Sequence, residues 1–174
     1  MKSAERLSVI ILIAALGCRK NSLDPLTPQS PAKIVINQQD GIKESDWLVP
    51  ASWKSTEQPA YSLYSYDLKA DAVTDEIIDE GLVRIFKTSD NTSPGVSLPF
   101  EEIKDGQKIY WYYEITPGNI MIAADVYGKN ISPEKSLFKY LILNKKMVNT
   151  LEEKGIHQSK MMDLPYQKMK AIIY

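Results

Sequence analysis

KIYWYYEITPGNIMIAADVY, residues 108–127, is the stretch that decides the fold. Its first half alternates. Ile109, Trp111, Tyr113 and Ile115 point one way along an extended chain, and Tyr110, Tyr112 and Glu114 point the other. Thr116-Pro117-Gly118-Asn119 is a strong turn, and 120–127 is again apolar and β-branched, so the two halves pair as an antiparallel hairpin. Ile109, Trp111, Tyr113 and Ile115 form the more apolar set and are assigned to the core. Tyr110 and Tyr112 then lie on the outer face.

The pattern on either side is similar. Upstream, Asp105-Gly106 marks a turn, 96–100 reads as a brief strand ending near Pro99, and 81–87 is apolar enough to be buried on one face and partly on the other. Residues 33–36 form a candidate first strand. Trp47-Leu48-Val49 with Trp53 suggests a second, interrupted by Pro50. Residues 61–68 form a third, with Tyr64, Tyr66 and Leu68 on one face. Downstream, 137–143 is the last strand.

Two short helices punctuate the strands. Thr74 is placed to cap a helix over 75–80. Asp75 and Glu76 suit its positive end, Val73 and Ile78 occupy the staple positions, and Gly81 is expected to end it in the left-handed conformation. Residues 165–173 read as a second helix, capped by Asp163 or Leu164, with Pro165 in its first turn and Tyr166, Met169 and Ile173 on one face. Residues 147–154 fit either a short helix or a loop. Many strands with little helix between them give an all-β antiparallel β-sandwich, Ig-like or jelly-roll-like, with a β-barrel as the alternative.

The N-terminus reads differently. Lys2 and Arg6 precede an apolar run over 7–16, too short for the ~20 residues that span a bilayer, and Ala15-Leu16-Gly17-Cys18 follows. That is the order of a secretory signal, and its ending resembles a bacterial lipobox. The division expected is a lipoprotein signal peptide over 1–17, a lipidated Cys18 with a proline-containing linker over 18–32, and the sandwich domain over 33–174. Pro25, Pro28 and Pro31 favour extended polyproline II. At ~3.1 Å per residue the linker reaches roughly 40 Å. Cys18 is the only cysteine, so no internal disulfide can form.

Composition excludes more than it identifies. The formal net charge is −1, which rules out a globally basic nucleic-acid binder. The charge is uneven: residues 129–174 hold nine lysines against four carboxylates, while the chain before them is acidic. His157 is the single histidine, and no Gly-x-Ser-x-Gly elbow or zinc-binding pair exists. The acidic run of Asp67, Asp71, Asp75, Glu76, Asp79 and Glu80 lacks the order of a calcium loop. Glu101, Glu102 and Glu114 would form a glycosidase pair only if two of them faced each other across a cleft. No catalytic residue, metal or cofactor is expected, and the chain is not read as an enzyme.

Several segments together, TDEIIDEGLVRIF, SLPF, ITPGNIMIAA, FKYLIL and the terminal DLPYQKMKAIIY, resemble a family of small Bacteroidota lipoproteins and secreted β-domain proteins of uncharacterised function. Relatives follow the aromatic-basic strand with an Ile-Pro-Gly turn, where this chain has Leu143-Asn144-Lys145. The resemblance implies no activity, so it transfers no site residue. The functional expectation is a lipid-anchored protein of the bacterial cell envelope, at the outer membrane, with a structural or adhesive role toward an envelope protein or polysaccharide. The alternative is a glycan-binding module in which Tyr110 and Tyr112 stack on sugar rings. Cross-strand packing of the same tyrosines is the preferred reading.

Overall fold

The computed structural model describes residues 36–90, 93–128, 133 and 136–174. Cys18, the apolar run before it and the proline-containing linker lie outside the described residues. Ten strands and four helices follow in the order β1 (Ile36–Gln39), β2 (Ile42–Ser45), β3 (Lys54–Glu57), β4 (Ser62–Lys69), α1 (Asp75–Glu80), β5 (Leu82–Thr88), β6 (Val96–Ser97), β7 (Phe100–Lys104), β8 (Gln107–Thr116), β9 (Asn119–Tyr127), β10 (Leu137–Leu143), α2 (Lys145–Glu153), α3 (Gln158–Asp163) and α4 (Tyr166–Ile173).

The strands form two five-stranded antiparallel sheets, ordered β1-β2-β10-β5-β6 and β3-β4-β9-β8-β7. The architecture is a β-sandwich, and no closed barrel is formed among the described residues. Between the sheets Val83, Ile85, Phe138, Tyr140 and Ile142 meet Tyr64, Leu68, Ile109, Trp111, Ile120, Ile122 and Val126. Trp111 fits because its cross-strand partner is the small Ala124. Trp53 closes the cluster, with its ring 6.0 Å from Trp111 and 5.9 Å from Phe138.

The central strands of the first sheet, β2, β10 and β5, are buried on both faces. Ile42, Leu82, Phe86, Leu141 and Leu143 point away from the sandwich and are covered by Val148 and Leu151 of α2, Met161 of α3, and Tyr166 and Met169 of α4. All seven residues of β5 are consequently buried.

The turns behave as their residues require. Asp105 and Gly106 both have positive φ, 51° and 76°, the pattern of a two-residue hairpin with a primed turn. Gly118 has φ 77°. Its carbonyl accepts from Ala70 and its N–H donates to Val73, so the β8–β9 tip is fastened to the loop before α1. Thr74 caps α1, its hydroxyl accepting from Ile77 N at 3.3 Å.

Several expectations need correction. Gly81 is extended, with φ −97°. It is glycine because a Cβ would lie 2.7 Å from the Leu143 carbonyl oxygen and 2.8 Å from that of Ile77. The strand expected around Trp47 and Trp53 reduces to one bridge, Leu48 with Phe138. The strand itself is the hydrophilic β3, exposed along its whole length at the sheet edge. Strand β2 follows the Asp40-Gly41 turn and was not foreseen. The single strand expected over 96–100 is two, β6 and β7, in different sheets. Between them the chain crosses the sandwich at Leu98-Pro99, with Leu98 fully buried.

The described residues hold four helices rather than two. Asn144 begins α2, its side chain accepting from Met147 N at 3.0 Å, which resolves the ambiguity over 147–154 in favour of helix. Asp163 ends α3 instead of capping α4, and Pro165 occupies the N-cap position of α4 with no side-chain cap bond.

Candidate functional site

The outer face of the second sheet carries the residues singled out from sequence. Antiparallel registry sets Tyr110 opposite Asp125, Tyr112 opposite Ala123 and Lys108 opposite Tyr127 on β8 and β9. On β4, Leu63 lies opposite Asp125 and Ser65 opposite Ala123. The core assignment holds: Ile109 and Trp111 are 1% exposed, and Tyr113 and Ile115 pack against the same cluster. Tyr110 and Tyr112 are half-buried on the outer face. Their rings stack 5.6 Å apart at 22°.

A second aromatic pair extends the surface. Tyr61 and Tyr127 lie 5.4 Å apart, and Lys108 Nζ sits 5.8 Å from the Tyr127 ring centroid while pairing with Glu101 at 2.9 Å. Beside them Ile103 is 81% exposed. The apolar residues of α2, α3 and α4 pack on the first sheet, and those of α1 pack on the inter-sheet core, so no described helix lies on this face.

Asp125 gives the face its electrostatic character. One of its carboxylate oxygens is buried without a hydrogen-bond partner. Burial pushes its carboxyl upward, and the neighbouring Tyr112 hydroxyl pulls it partly back. The Tyr112 hydroxyl is in turn pushed up to about 12, by burial first and then by the charges of Asp125 and Glu114. Tyr112 therefore stays a neutral donor at any physiological pH. A flat tyrosine stack with an adjacent, under-satisfied carboxylate can stack on an apolar ring face and accept from a hydroxyl. The same rings also act as packing, since Ala123, opposite Tyr112, is fully buried although no helix covers it.

Two of the carboxylates considered for catalysis, Glu101 and Glu102, fall on opposite sides of β7, while Glu114 shares the outer face with Glu101. Glu101 bonds Lys108 on the outer face. Glu102, on the opposite side of β7, accepts from Trp111 Nε1 at 2.7 Å and from Lys87 at 3.0 Å. Adjacent strand residues cannot face each other across a cleft. In the acidic run, Asp67 pairs with Lys54, Asp71 with Lys69 and Glu80 with Lys145. No group of metal-ligating residues occurs among the described residues. His157 is exposed at the start of α3.

Sequence reasoning missed two buried polar clusters beneath the helices. Lys139 donates to Glu44 at 2.7 Å, and the same carboxylate accepts from the hydroxyls of Tyr166 and Tyr174. Lys139 also lies 4.8 Å from the Tyr166 ring centroid. Burial pushes the Glu44 carboxyl up, but the bonds from Lys139 and Tyr166 and the Lys139 charge outweigh it, leaving it below the ordinary carboxylate value. Arg84, fully buried, donates to the Met162 carbonyl and the Ser97 hydroxyl. The only available signal for either cluster was a charged residue inside an otherwise apolar strand.

Comparison with known protein families, curated proteins and solved structures finds no match to this chain.

Proposed function

We propose that the chain is a non-catalytic lipoprotein of the bacterial cell envelope, held at the outer membrane through Cys18, whose sandwich makes structural or adhesive contacts. The observation that supports this reading is the asymmetry of the sandwich. One sheet is covered by helices, whereas the other leaves a broad tyrosine-bearing face uncovered by any described helix. The partner in this reading is an envelope protein or polysaccharide. The test is Cys18→Ser in the full chain. Serine has no thiol to acylate, so the variant should lose palmitate labelling and accumulate as uncleaved precursor. Undiminished labelling would end the lipoprotein reading.

A second reading is favoured by one feature, the near-parallel stack of Tyr110 on Tyr112 beside Asp125. That geometry suits a glycan-binding module, with the rings under the sugar and the carboxylate accepting from a hydroxyl.

A further inference from the structure

Between α3 and α4 runs a groove of about 270 Å³. Ile156, Leu164, Ala171 and Ile172 line it, and Lys160 and Lys168 stand at its rim. It falls below the ~300–1,000 Å³ of pockets that enclose a small molecule, and its shape is that of a shallow, apolar-floored surface. The charge on α3 and α4 is mostly positive, while Glu152 and Glu153 end α2 just before Ile156. Lys160, Lys168 and Lys170 are opposed on these two helices by Asp163 alone, and the Asp163 charge acts on the buried Arg84. Neither Lys160 nor Lys168 has an ion pair among the described residues.

We propose that this groove docks on the anionic leaflet of the bilayer to which the chain is tethered, an inference that rests on the lipoprotein reading. Charge complementarity selects the occupant. Exposed Lys160 and Lys168 flank the half-buried Ile156, Leu164 and Ile172, which already pack against the core beneath, so what the surface offers a leaflet is a lysine-flanked patch and not an inserted helix face. The place where the chain enters the domain agrees. The residues before Ile36 lead into β1, the edge strand of the sheet whose outer face carries α2, α3 and α4. A tether arriving there enters at the sheet that carries the helical layer. Because the tether holds the domain at the surface, a weak contact suffices through its effective concentration. Each lysine near an anionic leaflet contributes a factor of about five.

The test incorporates the full chain into phosphatidylcholine vesicles, with and without added phosphatidylglycerol, and follows amide hydrogen exchange over 156–173. Docking should slow exchange there only when phosphatidylglycerol is present. The K160Q/K168Q variant should weaken docking roughly 25-fold, two lysines at about fivefold each, while still floating with the vesicles. Equal exchange on both vesicle types, or slowing that survives in K160Q/K168Q, overturns the proposal. So does slowing that appears without vesicles and grows with protein concentration, which would make a second copy of the chain the occupant. Flotation with pure phosphatidylcholine vesicles reports the tether separately. If it fails, the tether reading falls, and exchange of the free protein with phosphatidylglycerol vesicles still decides the groove.

Discussion

The two sheets have the same number of strands and opposite surroundings. The first hides both faces of its central strands: its outer side carries Ile42, Leu82, Phe86, Leu141 and Leu143, and the chain spends its last thirty residues, 145–174, largely on covering them. The second keeps one face in solvent and meets that exposure with tyrosines, which are apolar in the ring and polar at the tip. Burial has a cost in the first sheet, because Glu44, Arg84 and Lys139 lie under the helices and must be satisfied there. Satisfaction is incomplete on both sides: Arg84 Nε in the first sheet, and Asp125 Oδ1 and Gln107 Oε1 in the second, are buried without a hydrogen-bond partner. The helical cover gives the first sheet a second core cluster, while the tyrosine face of the second sheet stays open to solvent.

The sharpest way to break this comparison is to remove the cover. Ending the chain after Asp163 deletes Tyr166 and Met169, both buried, together with the half-buried Ile172 and Ile173. A fully buried large side chain is worth ~1.5–3 kcal/mol, so the two buried residues alone amount to a large part of the ~5–15 kcal/mol that stabilises a typical domain. Glu44 and Lys139 also lose the Tyr166 and Tyr174 hydroxyls and become exposed. The urea midpoint should fall steeply, and an unchanged midpoint would show that α4 is a dispensable tail.

A smaller effect is expected from the ion pair itself. Glu44→Gln leaves the Lys139 ammonium buried without its counter-charge, and breaking one side of such a pair typically costs ~3–5 kcal/mol. The double change Glu44→Leu with Lys139→Met should recover much of that loss, since an apolar pair of similar size needs no satisfaction. If the double variant is as unstable as the single, the network is holding geometry that the apolar core does not.

Acidity probes the same cluster. The Glu44 carboxyl is depressed in the folded state, so its contribution is complete above the ordinary glutamate value of about 4.3 and is lost as pH falls through the depressed one. The Tyr166 and Tyr174 hydroxyls are raised, by burial and by their bonds to Glu44. Their contribution holds below the ordinary tyrosine value of about 10 and fades as pH rises past it. Docking of α4 should therefore weaken at both ends of the pH scale. Protection of the 166–173 amides, taken relative to their intrinsic exchange rates at each pH, should be greatest between those limits, and protection unchanged by acid would remove Glu44 from this account.

What could be read beforehand follows the same division. The β8–β9 hairpin, β10 and the Thr74-capped helix were legible because each carries its signal locally, as period-2 alternation, a Pro-Gly turn or a cap. Strand β3, with the sequence KSTE, has no apolar face to announce it because it lies exposed at an edge. Helix α3 spans six residues and buries only Met161, too little for a helical period to register. The Glu44–Lys139 pair joins positions 95 residues apart, which no local pattern encodes. At the candidate site, alternation placed Tyr110 and Tyr112 outward, but Asp125 enters through the β8–β9 registry, and a turn alone did not single it out.

The smallest expected effect lies on the open face, and it separates the two functional readings. Tyr110 and Tyr112 are half-buried and stacked on each other along β8, and an aromatic pair contributes roughly 0.5–1.5 kcal/mol. Tyr112 also lies opposite the fully buried Ala123 and beside Asp125. If the rings serve packing, Tyr110→Ala and Tyr112→Ala should each lower the unfolding midpoint slightly. Tyr112 should have the larger effect, because its loss uncovers Ala123 and removes a hydroxyl from Asp125, and neither change should alter retention on any polysaccharide. If the face is a glycan platform, the wild type should give a reproducible signal on a glycan array. The double variant should lose that signal with little change in stability, and Asp125→Asn should weaken it while leaving the tyrosine stack intact. The burial of Ala123 beneath an otherwise uncovered face favours packing. An array signal abolished by the double variant would reverse that preference, and would turn the contrast between the sheets into one between a structural side and a recognition side.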